Sequence, residues 1–268
     1  MKKGIKVLIG FVLAIALAGS GFWLVHRFIE SKEQQTSFRE LAESVLLEKP
    51  TVPIISAPNV DVETPSEDPM SPTQSAPAPS PAPEVLHDLG ALKEKNTDCI
   101  GWIRVPGTDI DYPLMWTPGD PEHYLHLDFY GGYSDYGVPF LDHRCNLDSD
   151  NLILYGHNMF DGAMFTDLLW YREREYMEDH RQIILETAGG AREYRVIAVC
   201  QANSLESKLY QHINFTDPAG KADFLDAVRE DSVFFIGADD RAGRFITLST
   251  CDVSRRNGRV AVVGELVN

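Results

Sequence analysis

Three residues far apart in the sequence have side chains suited to one reaction. Cys251 ends the run Arg244-Phe245-Ile246-Thr247-Leu248-Ser249-Thr250-Cys251. In an extended strand alternate residues share a face, so Thr247, Ser249 and Cys251 point one way and Ile246 and Leu248 the other. The thiol therefore stands at the polar end of a strand. The dipeptide Asn257-Gly258 is a strong turn signal, and Arg259 starts the next extended run. If the two runs pair as a hairpin, Cys251 and Arg259 fall at the same end, and a thiol beside a fixed guanidinium is a plausible nucleophile. The third residue is His157, in Gly156-His157-Asn158, which breaks the buried-strand pattern Asn151-Leu152-Ile153-Leu154-Tyr155. Cysteine nucleophiles are commonly served by a histidine distant in sequence. Taken singly, a strand-end cysteine reads as a small buried hydrophobe and a lone histidine as structural.

The elements that must position these residues are mostly strands. Ile100–Val105 and Asp109–Met115 flank the turn signal Pro106-Gly107. Val138–Asp142, Asn151–Tyr155, Arg181–Thr187, Glu193–Gln201, Arg244–Cys251 and Arg259–Val267 complete eight. Helices are predicted at Asp88–Lys95, around Phe165–Trp170 and at Pro218–Glu230, the last with Asp217 as its N-cap. Eight strands with few long helices predict a mainly β fold, a closed barrel with a few peripheral helices, because closure removes exposed edges.

The surrounding text resembles a known family. Tyr155-Gly156-His157-Asn158-Met159, Leu248-Ser249-Thr250-Cys251 and Arg259-Val260-Ala261-Val262-Val263 are similar to the three signature segments of the sortases. Class B in particular is resembled by Asn96-Thr97-Asp98 before Gly101-Trp102-Ile103, by Ile110-Asp111-Tyr112-Pro113-Leu114, by Tyr124-Leu125 and by Asp161-Gly162-Ala163-Met164-Phe165. The resemblance covers roughly residues 88 to 268. It implies a sortase-type barrel and a cysteine transpeptidase that cleaves a C-terminal sorting signal after its Thr, holds the acyl fragment as a thioester and passes it to an amino group of the cell wall. The implied partners are sorting-signal-bearing surface proteins and a peptidoglycan precursor or other amine acceptor, with no cofactor and no metal. It also implies catalytic roles for Cys251, His157 and Arg259, and substrate contacts at Ser249, Tyr124 and Leu125. The class often has an Asn shortly before that last pair, where this chain has Pro121. A pilin-polymerising sortase, a hydrolytic cysteine peptidase and a binding module on an inactive barrel are the competing readings. Intact His157, Cys251 and Arg259 argue against the last.

The N-terminus has a separate logic. Val7 to Val25 is charge-free over 19 residues, roughly 28 Å of helix and close to a bilayer's hydrocarbon thickness. Lys2, Lys3 and Lys6 precede it, which predicts a cytoplasmic tip and an extracellular catalytic domain on a single-pass anchor. Ala16-Leu17-Ala18 resembles a signal-peptidase site, but the apolar run continues through Trp23 to Val25, favouring an uncleaved anchor. The predicted organisation is a tip and membrane helix over 1–29, an amphipathic juxtamembrane helix over 30–49, a Pro-rich spacer over 50–87 and a catalytic domain over 88–268. Phe38, Leu41, Val45 and Leu46 form the stripe of the second segment. Ten prolines and no glycine lie between Pro50 and Pro83, a composition that favours semi-rigid extended chain.

The net charge of −16 argues against nucleic-acid binding. Asp142, Asp148 and Asp150 match no calcium-loop spacing and read as a solvated acidic turn. His123, His126, His143, His180 and His212 lack zinc-ligand spacing. Arg255 and Arg256 compete with Arg259 for the position beside the thiol, and the strand start favours Arg259. An oxidising compartment permits a disulfide among Cys99, Cys145 and Cys200, of which Cys200 is expected to be buried.

Overall fold

A computed structural model describes residues 2–47 and 83–267. Among these residues nine strands form one sheet: β1 (Cys99–Arg104), β2 (Asp111–Met115), β3 (Phe140–Leu141), β4 (Asn151–Tyr155), β5 (Gln182–Thr187), β6 (Gly190–Asn203), β7 (Ser232–Phe235), β8 (Phe245–Asp252) and β9 (Gly258–Leu266). Their order is β5-β1-β2-β3-β4-β8-β9-β6-β7, and β6 also pairs with β5. That pairing closes an eight-stranded barrel, as the strand pattern predicts. The 14-residue length of β6 makes closure possible. One edge pairs with β9 from Tyr194 to Asn203, while the other takes β5 along Gly190–Arg195 and then β7 along Ala198–Cys200. The ninth strand, β7, was not expected and hangs on the barrel rather than closing it.

Among the described residues four α-helices accompany the barrel: α1 (Lys2–Val45), α2 (Leu89–Lys95), α3 (Arg174–Asp179) and α4 (Pro218–Asp231). Asp88 caps α2 by accepting from the Ala91 N–H at 3.0 Å, and Asp217 caps α4 by accepting from the Gly220 N–H at 2.9 Å. The segment around Phe165–Trp170 is a 3-10 turn, Thr166–Arg172, leading into α3. Alternation along the last strands builds two apolar layers. Ile246, Leu248, Val260 and Val262 join the main core, while Phe245, Ala261 and Val263 pack with Phe224 and Val228 of α4. The face carrying Thr247, Ser249 and Cys251 is thus the one away from the main core.

The predicted membrane and juxtamembrane helices form one continuous α1. Among the described residues it is the one helix long and apolar enough to cross a membrane. Its C-terminal half packs on the barrel: Phe38, Leu41 and Val45 are buried in the main core, with Phe38 edge-on to Tyr112 at 5.3 Å between centroids. Leu46, expected on the same stripe, is exposed, because the helix has ended at Val45. Most of the predicted Pro-rich spacer lies outside the described residues, but its two ends meet. Leu47 N–H donates to the Leu86 carbonyl at 2.8 Å, and Asp88 N–H donates to the Val45 carbonyl at 2.6 Å. Residues just ahead of the expected domain start are also tied to the barrel. The fully buried Glu186 carboxylate accepts from Leu86 N–H, His87 N–H and Arg104 Nε, and pairs with His87 Nδ1, at 2.9 to 3.2 Å. The His87 ring stacks on Trp102, centroids 4.1 Å apart.

Candidate active site

The β8–β9 hairpin places Cys251 directly opposite Arg259 in the register, with Asn257 at the turn in the left-handed region, φ +54°. Arg259 Nη1 donates to Cys251 Sγ. The rival arginine Arg255 reaches the Gln201 carbonyl at 3.3 Å and lines a different, polar pocket with Glu206 and Asp231. Register therefore decides which arginine meets the thiol.

The histidine arrives by a different pairing. Strand β4 runs parallel to β8, with Tyr155 opposite Ser249 at its end. Bonds on both sides of His157 extend this contact beyond the strand. Gly156 N–H donates to the Ser249 carbonyl at 3.2 Å, Thr250 Oγ1 donates to the Gly156 carbonyl at 2.8 Å, and Asn158 Nδ2 donates to the Cys251 carbonyl at 2.9 Å. Position 156 must be glycine, because a Cβ there would lie 2.5 Å from the Phe165 ring.

His157, Cys251 and Arg259 line one cavity of about 430 Å³ with Ser249, Leu125, Tyr155 and Asp142. That is the size of a small-ligand pocket. His157, just beyond the end of β4, is half-buried. Its Nε2 bonds the Leu125 carbonyl at 2.8 Å; a carbonyl only accepts, so Nε2 carries the hydrogen. Burial holds the His157 pKa below the usual imidazole value, and nearby His126 and the Arg259 guanidinium push the same way. The Leu125 carbonyl and Asp135 oppose them without prevailing. The His126 ring lies 5.7 Å from that of His157.

All four cysteines are free thiols. Burial pushes Cys99 and Cys145 up to about 11 and raises Cys200 further, which keeps these three protonated and inert. Cys251 is the partly exposed one, and it has the guanidinium.

The three expected substrate-contact residues divide. Leu125 lines the cavity, and its carbonyl also holds His157. Ser249 lines the cavity too and shares a 2.9 Å hydrogen bond with Tyr210 Oη. Tyr124 is absent from that lining. Its side chain is buried, donating to Asp98 Oδ2 at 2.9 Å and accepting from Asn96 Nδ2 at 2.8 Å, so it anchors the loop that presents Leu125. The acidic-turn reading also needs correction at Asp142. This carboxylate is buried at the cavity wall. Burial pushes its pKa up, but the two-pronged Arg144 guanidinium, the Arg144 N–H and the Tyr155 hydroxyl outweigh that and hold it below the usual range. Asp148 does remain exposed. Asn158, His126 and Asp142 carried no functional expectation. Only Asn158 had a local signal, its place beside His157 in the broken strand.

Residues 103–267 match the sortase domain family, more than half of the chain. Sortase B of Listeria monocytogenes serovar 1/2a is 32% identical over 189 residues, 69% of this chain and 76% of that protein. The crystal structure of Clostridium perfringens sortase B is similar with a TM-score of 0.61 at 29% identity, covering 67% of this chain and 99% of that one. A Staphylococcus aureus sortase B–substrate complex gives 0.60 at 29% identity, covering 67% and 84%. With the barrel closed as expected and Cys251, His157 and Arg259 around one cavity, these matches settle the family: the chain belongs to the sortases, on their class B side, and is a cysteine transpeptidase.

Proposed function

We propose that this enzyme is anchored by the first half of α1, cleaves a C-terminal sorting signal after Thr on the outer side of the membrane, and joins the acyl fragment to an amino group of the cell wall. The reading is carried by one observation: Cys251 and Arg259 are register partners, and His157 faces the same cavity. In the first half-reaction the Cys251 thiolate attacks the scissile carbonyl carbon. Arg259, bonded to the resting sulfur, donates to the oxyanion that forms next to it; its bond to Cys251 Sγ supports that role. As the C–N bond breaks, the imidazolium of His157 gives its proton to the leaving amine, and a C–S thioester remains. In the second half the acceptor amine attacks the thioester, neutral imidazole takes its proton, and the thiolate leaves. The lowered pKa of His157 suits this second step, because neutral imidazole dominates near pH 7. Leu125, Ser249 and the cavity wall near Tyr155 supply the contacts that hold the signal; the S. aureus relative was crystallised with its substrate. The lysines at positions 2, 3 and 6 favour the orientation with the barrel outside.

The test is to incubate the full chain in detergent with a small library of five-residue sorting peptides and a short amine, then identify products by mass. The expected product is an amide joined through the Thr carbonyl, with amine raising total turnover. Free acid as the sole product, with amine present, assigns the protein to the hydrolytic alternative.

A further inference from the structure

The geometry points to a membrane-contacting surface on the barrel itself: the loop from His157 to Phe165, which carries the exposed Phe160, rests on the lipid bilayer. This rests on the anchor reading above. The observation behind it is where the barrel takes hold of α1. Ser31 Oγ bonds the Asp161 carboxylate, and Asp161 sits in the loop that begins with His157. The same carboxylate accepts from Tyr136 Oη at 2.6 Å and from the Ala163 N–H at 3.2 Å, so the loop is built around this attachment point.

Helix geometry sets the height. The charge-free run ends at Val25, and α1 continues unbroken to Val45. Ser31 is six residues beyond Val25, about 9 Å of helix. The headgroup layer on one side of a bilayer is roughly 5–8 Å thick, and helix tilt shortens the vertical distance further. The Ser31–Asp161 contact therefore falls at the outer edge of the headgroups. A flexible spacer would lift the barrel away, but the chain around Leu47 and Leu86 is bonded end to end, so the docked half of α1 sets the distance instead.

Two exposed phenylalanines stand near this level, among the charged neighbours Glu30 and Lys32, and the Lys32 ammonium lies over the Phe28 ring, 5.5 Å from its centroid. Phe28 is three residues before Ser31, one turn lower on the same side of α1. It is 61% exposed, and Phe160, adjacent to Asp161, is 68% exposed. Aromatic rings are favoured at this depth, between hydrocarbon and water. One occupant fits: the bilayer into which the preceding residues of the same helix run. The consequence for the enzyme is that the loop carrying His157 stays at the lipid surface.

The test uses the full chain in phosphatidylcholine vesicles whose lipids are brominated high on the acyl chains, which quench tryptophan on contact. Phe160→Trp adds a reporter at the loop tip, and Leu205→Trp adds one at an exposed site elsewhere on the barrel. Trp23, read as the difference between the parent and Trp23→Phe, reports the helix. The expected result is that the added emission of Phe160→Trp falls at least roughly twofold on bromination while that of Leu205→Trp is unchanged. Quenching of Trp23 without quenching at position 160 overturns the surface and leaves the anchor standing. Unquenched Trp23 and position 160 together overturn both. Equal quenching at 160 and 205 overturns the surface as a specific one.

Discussion

Two histidine corners of this barrel use similar groups to opposite ends. At the first, His87 is buried against Trp102 and bonded to Glu186, whose carboxylate also takes Leu86 N–H, His87 N–H and Arg104 Nε. Four donors on two oxygens leave nothing for a substrate, and no cavity opens there among the pockets described. At the second, His157 is half-buried, bonded to the Leu125 carbonyl, near His126 and Arg259, and on the wall of a cavity of about 430 Å³. The first corner is saturated and closes the chain onto the barrel. The second keeps a thiol, an imidazole and a guanidinium open to a ligand. What separates structural from chemical polar groups here is not residue type but whether their bonding capacity is already filled.

The largest expected effect breaks the saturated corner. Glu186→Ala removes one partner from Arg104 and His87 and leaves two backbone donors unmet. The loss should be roughly 3 kcal/mol, the low end for a broken buried ion pair, because Arg104 keeps some solvent contact. Denaturant unfolding measures it, and turnover per folded molecule should hold. The pH dependence has a definite sign. Burial pushes the Glu186 pKa up, but the His87 and backbone hydrogen bonds outweigh it and leave it below the ordinary value. Its stabilisation is therefore complete above the ordinary glutamate range near pH ~4.3 and is lost as pH falls through the lower folded value. Glu186→Ala should flatten the parent's loss of stability on acidification. An equally steep loss would remove Glu186 from the account.

The next effect falls on the open corner. Arg259→Lys keeps the charge but loses the planar fork, so kcat/KM should fall by roughly 10², with the melting temperature little changed. Arg255→Ala, whose side chain serves another pocket, should be mild in the same assay. The reverse ranking would mean the hairpin register does not choose the catalytic arginine. The smallest effect sharpens the electrostatics of His157. The reacting pair shares one proton, so the acid limb of kcat/KM marks its second protonation and should lie below the ordinary imidazole pKa near ~6.5. His126→Asn removes one of the influences that lower the His157 pKa and should move that limb up by a fraction of a pH unit. A downward shift would contradict the assigned cause.

The two corners were not equally legible in the sequence. The open one was, because strand alternation puts Ser249 and Cys251 on one face, Asn257-Gly258 makes the hairpin, and the family resemblance singles out His157. The saturated one was not: Glu186 and His87 are 99 residues apart, and no local pattern links a strand glutamate to the end of a Pro-rich run. Phe38, Leu41 and Val45 were read correctly as an apolar stripe, but periodicity does not say what a stripe faces, and it faces the barrel. Strand β7 escaped because Ser232-Val233-Phe234-Phe235 follows directly on α4 and stays partly exposed, without the alternation of a half-buried strand. Asp142 was misread because its neutralising partners, Arg144 and Tyr155, meet it only through a turn and a strand pairing. Tyr124 was assigned to substrate because the family resemblance takes Tyr124-Leu125 as a pair, yet the two side chains point to different places.

The central claim is that the thiol opposite Arg259 carries the acyl group between two amines. Intact-protein mass spectrometry during turnover of a sorting peptide tests it most directly. The account predicts a transient mass increase equal to the acyl fragment ending in Thr, mapped to the peptide containing Cys251. The adduct should be absent in Cys251→Ala and discharged as amide when an amine is added. Turnover that persists in Cys251→Ala, or an adduct on Cys99, Cys145 or Cys200, would contradict it.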